Sequence, residues 1–396
     1  MPALAPRSIA VIGAGVAGCA LVAQLRRLGC TAPLSVWEIG RGPGGRAGSR
    51  RSRSDAVLRI DHGAPLLNIT GDPPPLLLEP LLQGGWLEPC RARVATLQGE
   101  AQLSPGSADG LLAGQLFRGR GGMEQLGLGL LELAGAGVET HYGTVVRDLA
   151  VDPAGGWQLL DADGAPLAQA DWLVLSSTLL AHPRSQGLLG WPAVPLRQAA
   201  AGLGDLQLDH VLATIAGIRF EARSNLLLVL PAAVAEPWLQ LPFDLLQFDG
   251  AAQQHWGLHR VVIQPLSDGR CAVVAHSSHT FAADHLSLYG ERSAVARVLG
   301  LPPDQQRQDA AIAALEQHLL QALRPWLGEP SLEGADRQLM RWGAAFPMPP
   351  GLPSDLCICR ASRVAFCGDY VAGPGFGRIE GALRTAERLA LALSGP

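Results

Sequence analysis

A chain of 396 residues with 48% hydrophobic residues, 48 glycines and 30 prolines is long enough for two cores, and its many turn formers predict a globular protein. A net charge of −4 gives no electrostatic footprint for nucleic acid or an anionic membrane, and no apolar run is long enough to span a bilayer, residues 226–235 being interrupted by Pro231. All 31 basic residues are arginines, which excludes every mechanism that needs a lysine, a Walker-type phosphate loop and a pyridoxal Schiff base among them.

In chain order, 8–12 reads as a strand that enters Gly13-Ala14-Gly15-Val16-Ala17-Gly18, and 16–28 carries apolar residues at helical spacing up to Gly29. Residues 34–38 alternate as a second strand and complete a β-α-β unit. Pro73, Pro74 and Pro75 mark an exit from this layer, after which 76–115 read as loops and short helices. Gly119-Arg120-Gly121-Gly122 opens a helix at 123–133, followed by strands at 138–146, 157–160 and 170–176, with Asp161-Ala162-Asp163-Gly164 as a turn between the last two. The middle of the chain has a different texture, with strands predicted at 211–220, 225–230, 245–249, 258–264 and 271–276 and a helix at 309–323. Antiparallel sheet under covering helices is the expected arrangement there. A final strand, 364–367, runs into Gly368-Asp369, and a helix is expected from Gly377 to 393.

The first glycine of Gly13-x-Gly15-x-x-Gly18 makes a tight turn, the second admits a pyrophosphate to the backbone, and the third lets helix pack on strand. Free N–H groups at the helix start then face the anion. Glu38, twenty residues after Gly18, is placed to accept ribose hydroxyls, and its charge disfavours a 2′-phosphate. At the far end, Asp369 is placed to accept from a ribityl hydroxyl, while the helix that begins near Gly377 aims its positive end at the same region and would stabilise an anionic reduced flavin. The two ends of the chain are therefore expected to hold one FAD. No second Gly-x-Gly-x-x-Gly follows a strand and no Cys-x-x-Cys exists, so electrons are expected directly from a bound small molecule. The odd count of seven scattered cysteines points to reduced thiols and no metal site, and 1–7 lead straight into the first strand with no room for a signal peptide, so a cytoplasmic protein is expected.

Gly40-Arg41-Gly42-Pro43-Gly44-Gly45-Arg46 resembles the extension found in FAD enzymes of the amine oxidase superfamily, with Arg46 expected to offset diphosphate charge. Arg50, Arg51 and Arg53 read equally well as a solvated basic loop. Asp61-His62-Gly63-Ala64, Trp256, Gly269-Arg270, Val273-Val274-Ala275-His276-Ser277-Ser278, His285-Leu286, Arg341-Trp342, Phe346-Pro347, Cys367-Gly368-Asp369 and Glu380-Gly381-Ala382 together resemble the renalase branch of that superfamily, over nearly the whole chain.

The resemblance implies an α/β (α+β) two-domain fold of the p-hydroxybenzoate hydroxylase-like kind. Its FAD-binding Rossmann-like domain is discontinuous (1–70, 116–178 and 336–396), beside an antiparallel-sheet substrate domain (71–115 and 179–335). Expected FAD contacts are Gly13, Gly15, Val16, Ala17, Gly18, Glu38, Gly44, Gly45, Arg46, His62, Gly63, Ala64, Val145, Gly368, Asp369, Gly377 and Ile379; His276, His279 and Trp342 are expected in the substrate pocket. The implied activity is oxidation of off-pathway dihydronicotinamide isomers, with hydride passed to flavin N5 and then to O2, by a monomer or dimer. The chain departs from the branch at Pro65-Leu66-Leu67, His279 and Gly343-Ala344. Amine oxidation, disfavoured by the missing lysine, pigment desaturation or isomerisation, and a non-catalytic binding protein of the same fold stand as alternatives.

Overall fold

The computed structural model describes residues 6–395 apart from 52–54, 56, 57, 108–111, 153, 154, 289–295, 297–299 and 303, so Arg53 lies outside the described residues. The protein is a mixed α/β fold with a Rossmann-like domain and several sheets. Ile9–Ile12 lies at the centre of a six-stranded sheet, with Leu34–Glu38 and then Val138–Tyr142 on one side, and Trp172–Leu175, Val364–Phe366 and Ile358–Cys359 on the other. All pairs are parallel except the last. Both faces of this sheet are covered, which is why the central strands read apolar at every position instead of alternating.

One face carries the helices Val16–Arg27, Glu124–Ala134 and Ile379–Ser394, whose Leu21, Leu25, Leu130, Leu383 and Leu389 fill a core. The other carries a three-stranded antiparallel sheet and the helices Pro195–Ala200 and Leu206–Ala216 around Trp157, Leu173, Leu212 and Phe366.

The second large sheet has seven strands, in the order Asp336–Pro347, Phe220–Leu230, Cys271–Ser277, Leu258–Pro265, Leu245–Phe248, Val94–Gln98 and Gln102–Pro105. Its side chains alternate as a pleated strand requires. Leu226, Leu228, Val261, Val273 and Ala275 point to a core under the covering helices, and Leu227, Val229, Val262 and Val274 point to the opposite face.

Three expectations are corrected. The strand predicted at 211–220 is instead the helix Leu206–Ala216, and the strand begins only at Phe220. Asp205 caps the helix by accepting from the N–H groups of Gln207 and Leu208, and Leu208, Val211, Leu212 and Ile215 are buried at helical spacing, which overrides the β-branched composition. The segment 76–115 contributes strands as well as a helix, and Pro166–Ala170 supplies a strand unforeseen in the sequence. Leu77, Leu78, Leu81 and Leu87 join the core of the parallel sheet, and Asp336–Pro347 is an edge of the seven-stranded one. Among the described residues no helix is long and apolar enough to cross a membrane.

Candidate functional site

The first strand ends at Gly13, whose φ of +105° only glycine adopts without strain. The turn is held from behind by Ser176, whose hydroxyl donates to the carbonyls of Ile12 and Gly13 at 3.0 and 2.8 Å. A Cβ on Gly18 would overlap the Gly13 carbonyl oxygen, so Gly18 sets the helix against the strand, whereas a Cβ on Gly15 would meet no atom of the described residues within 4 Å. Gly15 thus faces open space, at the start of a helix with no side-chain cap. That combination leaves first-turn N–H groups available to an anion.

Glu38 closes the second strand and stands beside this turn. Its carboxylate accepts from the Ala14 N–H at 2.9 Å and the Gly40 N–H at 2.6 Å. Burial pushes its pKa above the ordinary carboxylate value while those two amides pull the other way. Each oxygen keeps a further lone pair for a hydroxyl donor. The following loop returns to the turn, with the Gly44 N–H donating to the Ala14 carbonyl at 2.8 Å.

Arg46 does not extend toward the glycine turn as a free cation. It donates to the Ala345 carbonyl and to Asp369, each at 2.6 Å. Arg184, a residue with no sequence motif around it, lies close enough to feel both partners. Burial and the Arg46 charge push its pKa down to about 10 against the pull of Asp369. Arg46 is paired with Asp369, and Arg184, which donates to the Thr178 hydroxyl at 3.1 Å, feels the same carboxylate only through its field. The helix Ile379–Ser394 begins at the same place, again without a side-chain cap.

The opposite wall is the open face of the seven-stranded sheet. Strand register aligns Met340, Asn225, His276, Arg260 and Gln247 in one row across five strands. Asn225 donates to the His62 carbonyl at 2.6 Å and Arg260 to the Gly63 carbonyl at 3.0 Å, so the row grips the Asp61-His62-Gly63-Ala64 step. Arg223 lies over the Phe346 ring and pairs with Glu221 at 2.5 Å. His62 is parallel to Trp342, with ring centroids 5.5 Å apart. Burial, then Arg50, lowers the His62 pKa to about 4, and burial, then Arg260, holds His276 well below the ordinary imidazole value. Both rings are neutral near pH 7.

These walls bound one cavity of about 1310 Å³. Of the expected FAD contacts, Gly13, Gly15, Val16, Ala17, Glu38, Gly44, Gly45, Arg46, His62, Gly63, Ala64, Val145, Gly368, Asp369, Gly377 and Ile379 line it, and Gly18 does not. Of the expected pocket residues, His276 and Trp342 line it. His279 is a correction: it is exposed, and its Nδ1 accepts from the Ala222 N–H at 3.0 Å. Ser278 caps the short helix His279–Asp284 and turns the chain off the sheet face before His279. Arg184, Arg223, Asn225 and Arg260 also line the cavity and were missed. Apart from Arg184 they carried one signal, polar side chains at the same parity as inward-facing apolar ones in strands otherwise rich in Leu and Val. Cys357, Cys359 and Cys367 are buried, with their thiol pKa values pushed up, and none lines the cavity.

Residues 11–77 match the family model of an NAD(P)-binding Rossmann-like domain. No curated relative matches the chain. Among solved structures, an Exiguobacterium sp. 255-15 protein assigned as a protoporphyrinogen oxidase is similar at 11% identity, covering 98% of each chain with a TM-score of 0.64. Cyclohexylamine oxidase from Brevibacterium oxydans IH-35A is 14% identical over 98% of this chain and 99% of its own, with a TM-score of 0.63. An oxidoreductase from Methanosarcina mazei is 13% identical over 96% and 99%, with a TM-score of 0.59. At such identities the likeness is one of fold.

Proposed function

We propose that this protein is an FAD-dependent oxidoreductase that takes a hydride from a small planar substrate. The observation that carries the reading is the single cavity running from the uncapped helix at Gly15 to the polar row of the second sheet. Pockets for drug-sized ligands are about 300–1,000 Å³, so a cavity of about 1310 Å³ suits a dinucleotide with a second small molecule. The similar structures include proteins named for amine and protoporphyrinogen oxidation, which supports oxidase chemistry on this fold.

The residues present fit FAD. Gly15 offers an open approach, Glu38 has acceptor capacity for ribose hydroxyls, and two helix starts converge on the cavity without side-chain caps. Arg46 and Arg184 around Asp369 leave net positive charge for a diphosphate, while Asp369 keeps an oxygen for a ribityl hydroxyl. When bound, the flavin supplies a two-electron acceptor for hydride. The chain's own part is to hold a ring against the wall that the His62–Ala64 backbone and the sheet form together, exclude water, and fix its distance, which is what positioning supplies. The neutral His62 and His276 add polarity without a mobile proton near pH 7.

Within this class we favour a renalase-like oxidase of dihydronicotinamide isomers, with O2 as acceptor, acting in the cytoplasm. A dihydropyridine donates hydride without base assistance, in keeping with a chain that has no lysine. Denaturing the purified yellow protein is expected to release FAD and not FMN. Anaerobic mixing with NAD(P)H, its 2- and 6-dihydro isomers and a panel of amines tests the substrate: bleaching by the isomers supports the reading, and bleaching by amines alone overturns it.

A further inference from the structure

The charge of the cavity does not follow the charge of the chain. Acidic residues outnumber basic ones in the sequence, 35 to 31, yet nine arginines and three carboxylates line the cavity among the described residues. Arg46 and Arg51 pair with the lining Asp369 and Glu124, and Arg223 and Arg378 meet Glu221 and Glu380 just outside the cavity. A bound FAD would bring two negative charges at its diphosphate, and Arg46 and Arg184 around Asp369 would supply one net positive charge toward them.

The excess is also placed away from the dinucleotide motif. Arg223 and Arg260 are both more than nine-tenths buried on the sheet face, beside His276, and the Arg260 Nη2 lies 3.5 Å from the His276 Nδ1. Among the described residues, the buried polar atoms of this wall without a hydrogen-bond partner include the Arg223 Nε, the His276 Nε2 and the Trp342 Nε1, beside the Asn225 Oδ1 and the His62 Nδ1. Of the first three, the Arg223 Nε and the Trp342 Nε1 are obligate donors and the imidazole is able to donate. Unmatched buried donors are costly to keep in a protein unless something complements them. A protonated amine entering here would meet charge of its own sign at short range in a low-dielectric wall.

We infer that the substrate of this cavity is an anion, a ring bearing a carboxylate or a phosphate group that is held at the Arg223–Arg260–His276 corner. This rests on the reading of the cavity as the substrate site of a flavin oxidoreductase. It separates the protein from amine-oxidising neighbours by charge selection, where the fold alone does not. Such selection works by repelling the wrong partner as much as by attracting the right one.

The test is a titration of the purified holoprotein with four ring probes of similar size: benzoate, phenyl phosphate, benzamide and benzylamine. The flavin visible spectrum is one readout, and tryptophan fluorescence, to which Trp342 contributes from the cavity wall, is a second that needs no flavin. Benzoate or phenyl phosphate is expected to bind at least about ten-fold tighter than benzamide, the ratio that one charge-assisted hydrogen bond supplies, and benzylamine weakest of all. Which of the two anions binds tighter identifies the carboxylate or the phosphate as the group recognised. Arg223→Gln is expected to lower anion affinity by about ten-fold or more and to leave benzamide binding unchanged; should that variant fail to fold, the wild-type series decides. Benzylamine or benzamide binding as tightly as both anions overturns the inference and leaves the flavin reading standing. A colourless protein that takes up no FAD overturns the flavin reading, while the fluorescence titration still decides the charge preference.

Discussion

Arg46 Nη2 lies 2.6 Å from Asp369 Oδ1, joining a loop that follows the second strand to the end of the strand Val364–Phe366. The pair is the point where the first and last parts of the parallel sheet meet at the cavity. Its effect is to orient both side chains before any ligand arrives.

Asp369→Asn removes the carboxylate and leaves Arg46 beside Arg184. The expected loss of folding stability is about 1–2 kcal/mol, less than for a fully buried pair because the Arg46 side chain is 39% exposed and solvent screens it. Arg46→Met should cost a similar amount, and the double variant less than the sum. Urea unfolding of all four proteins measures the coupling, and strict additivity would show that the pair contributes nothing.

Gly15→Ala and Gly18→Ala separate a ligand-facing glycine from a packing one. The added methyl at Gly15 meets no protein atom and its φ of −67° is open to alanine, so stability should change by no more than about 1 kcal/mol while FAD retention falls. At Gly18 the methyl overlaps the Gly13 carbonyl, and a loss of about 1–3 kcal/mol or more is expected before any effect on cofactor. Thermal unfolding with and without added FAD distinguishes the two.

Glu38→Gln replaces an acceptor by a donor where two backbone N–H groups already point. FAD affinity is expected to drop by about 1.5–3 kcal/mol through loss of charge-assisted hydrogen bonds. Flavin release on dilution, followed by fluorescence, reads it; unchanged retention would remove Glu38 from the site.

The His62 pKa falls from 6.5 to about 4 on folding. Between those values the unfolded chain binds a proton that the folded one does not, so stability is lost as pH falls from 6.5 toward 4 and this residue costs nothing further below that. The span is worth on the order of 3 kcal/mol. His259 and His276 are displaced in the same direction and extend the slope to lower pH. Urea midpoints across this window should fall more steeply in the wild type than in His62→Gln.

The nucleotide half of the fold was legible because its chemistry is local. Glycines at fixed offsets, a strand before and a helix after, and an acid at the end of the next strand are all set by one supersecondary unit. The polar row was not legible, because Asn225, His276 and Arg260 come together only through the register of three antiparallel strands, and register is a property of pairing rather than of any one segment. His279 shows the reverse error. It adjoins His276 in sequence, but the cap at Ser278 directs the chain away, so nearness along the chain had no counterpart in space. Residues 211–216 were misread because β-branched content outweighed the capping signal at Asp205.

The helix Val16–Arg27 packs against Ile379–Ser394, and the strand Ile9–Ile12 is one strand removed from Val364–Phe366. A ribosome therefore releases the first half of the cofactor cradle long before the second half exists. Until the closing helix docks, Leu21 and Leu25 lack Leu383 and Leu389 in their core, and until the strand Val364–Phe366 is made Asp369 cannot meet Arg46. Nascent chains halted before residue 379 should accordingly depend on holding factors, and flavin loading should be an event of the finished chain.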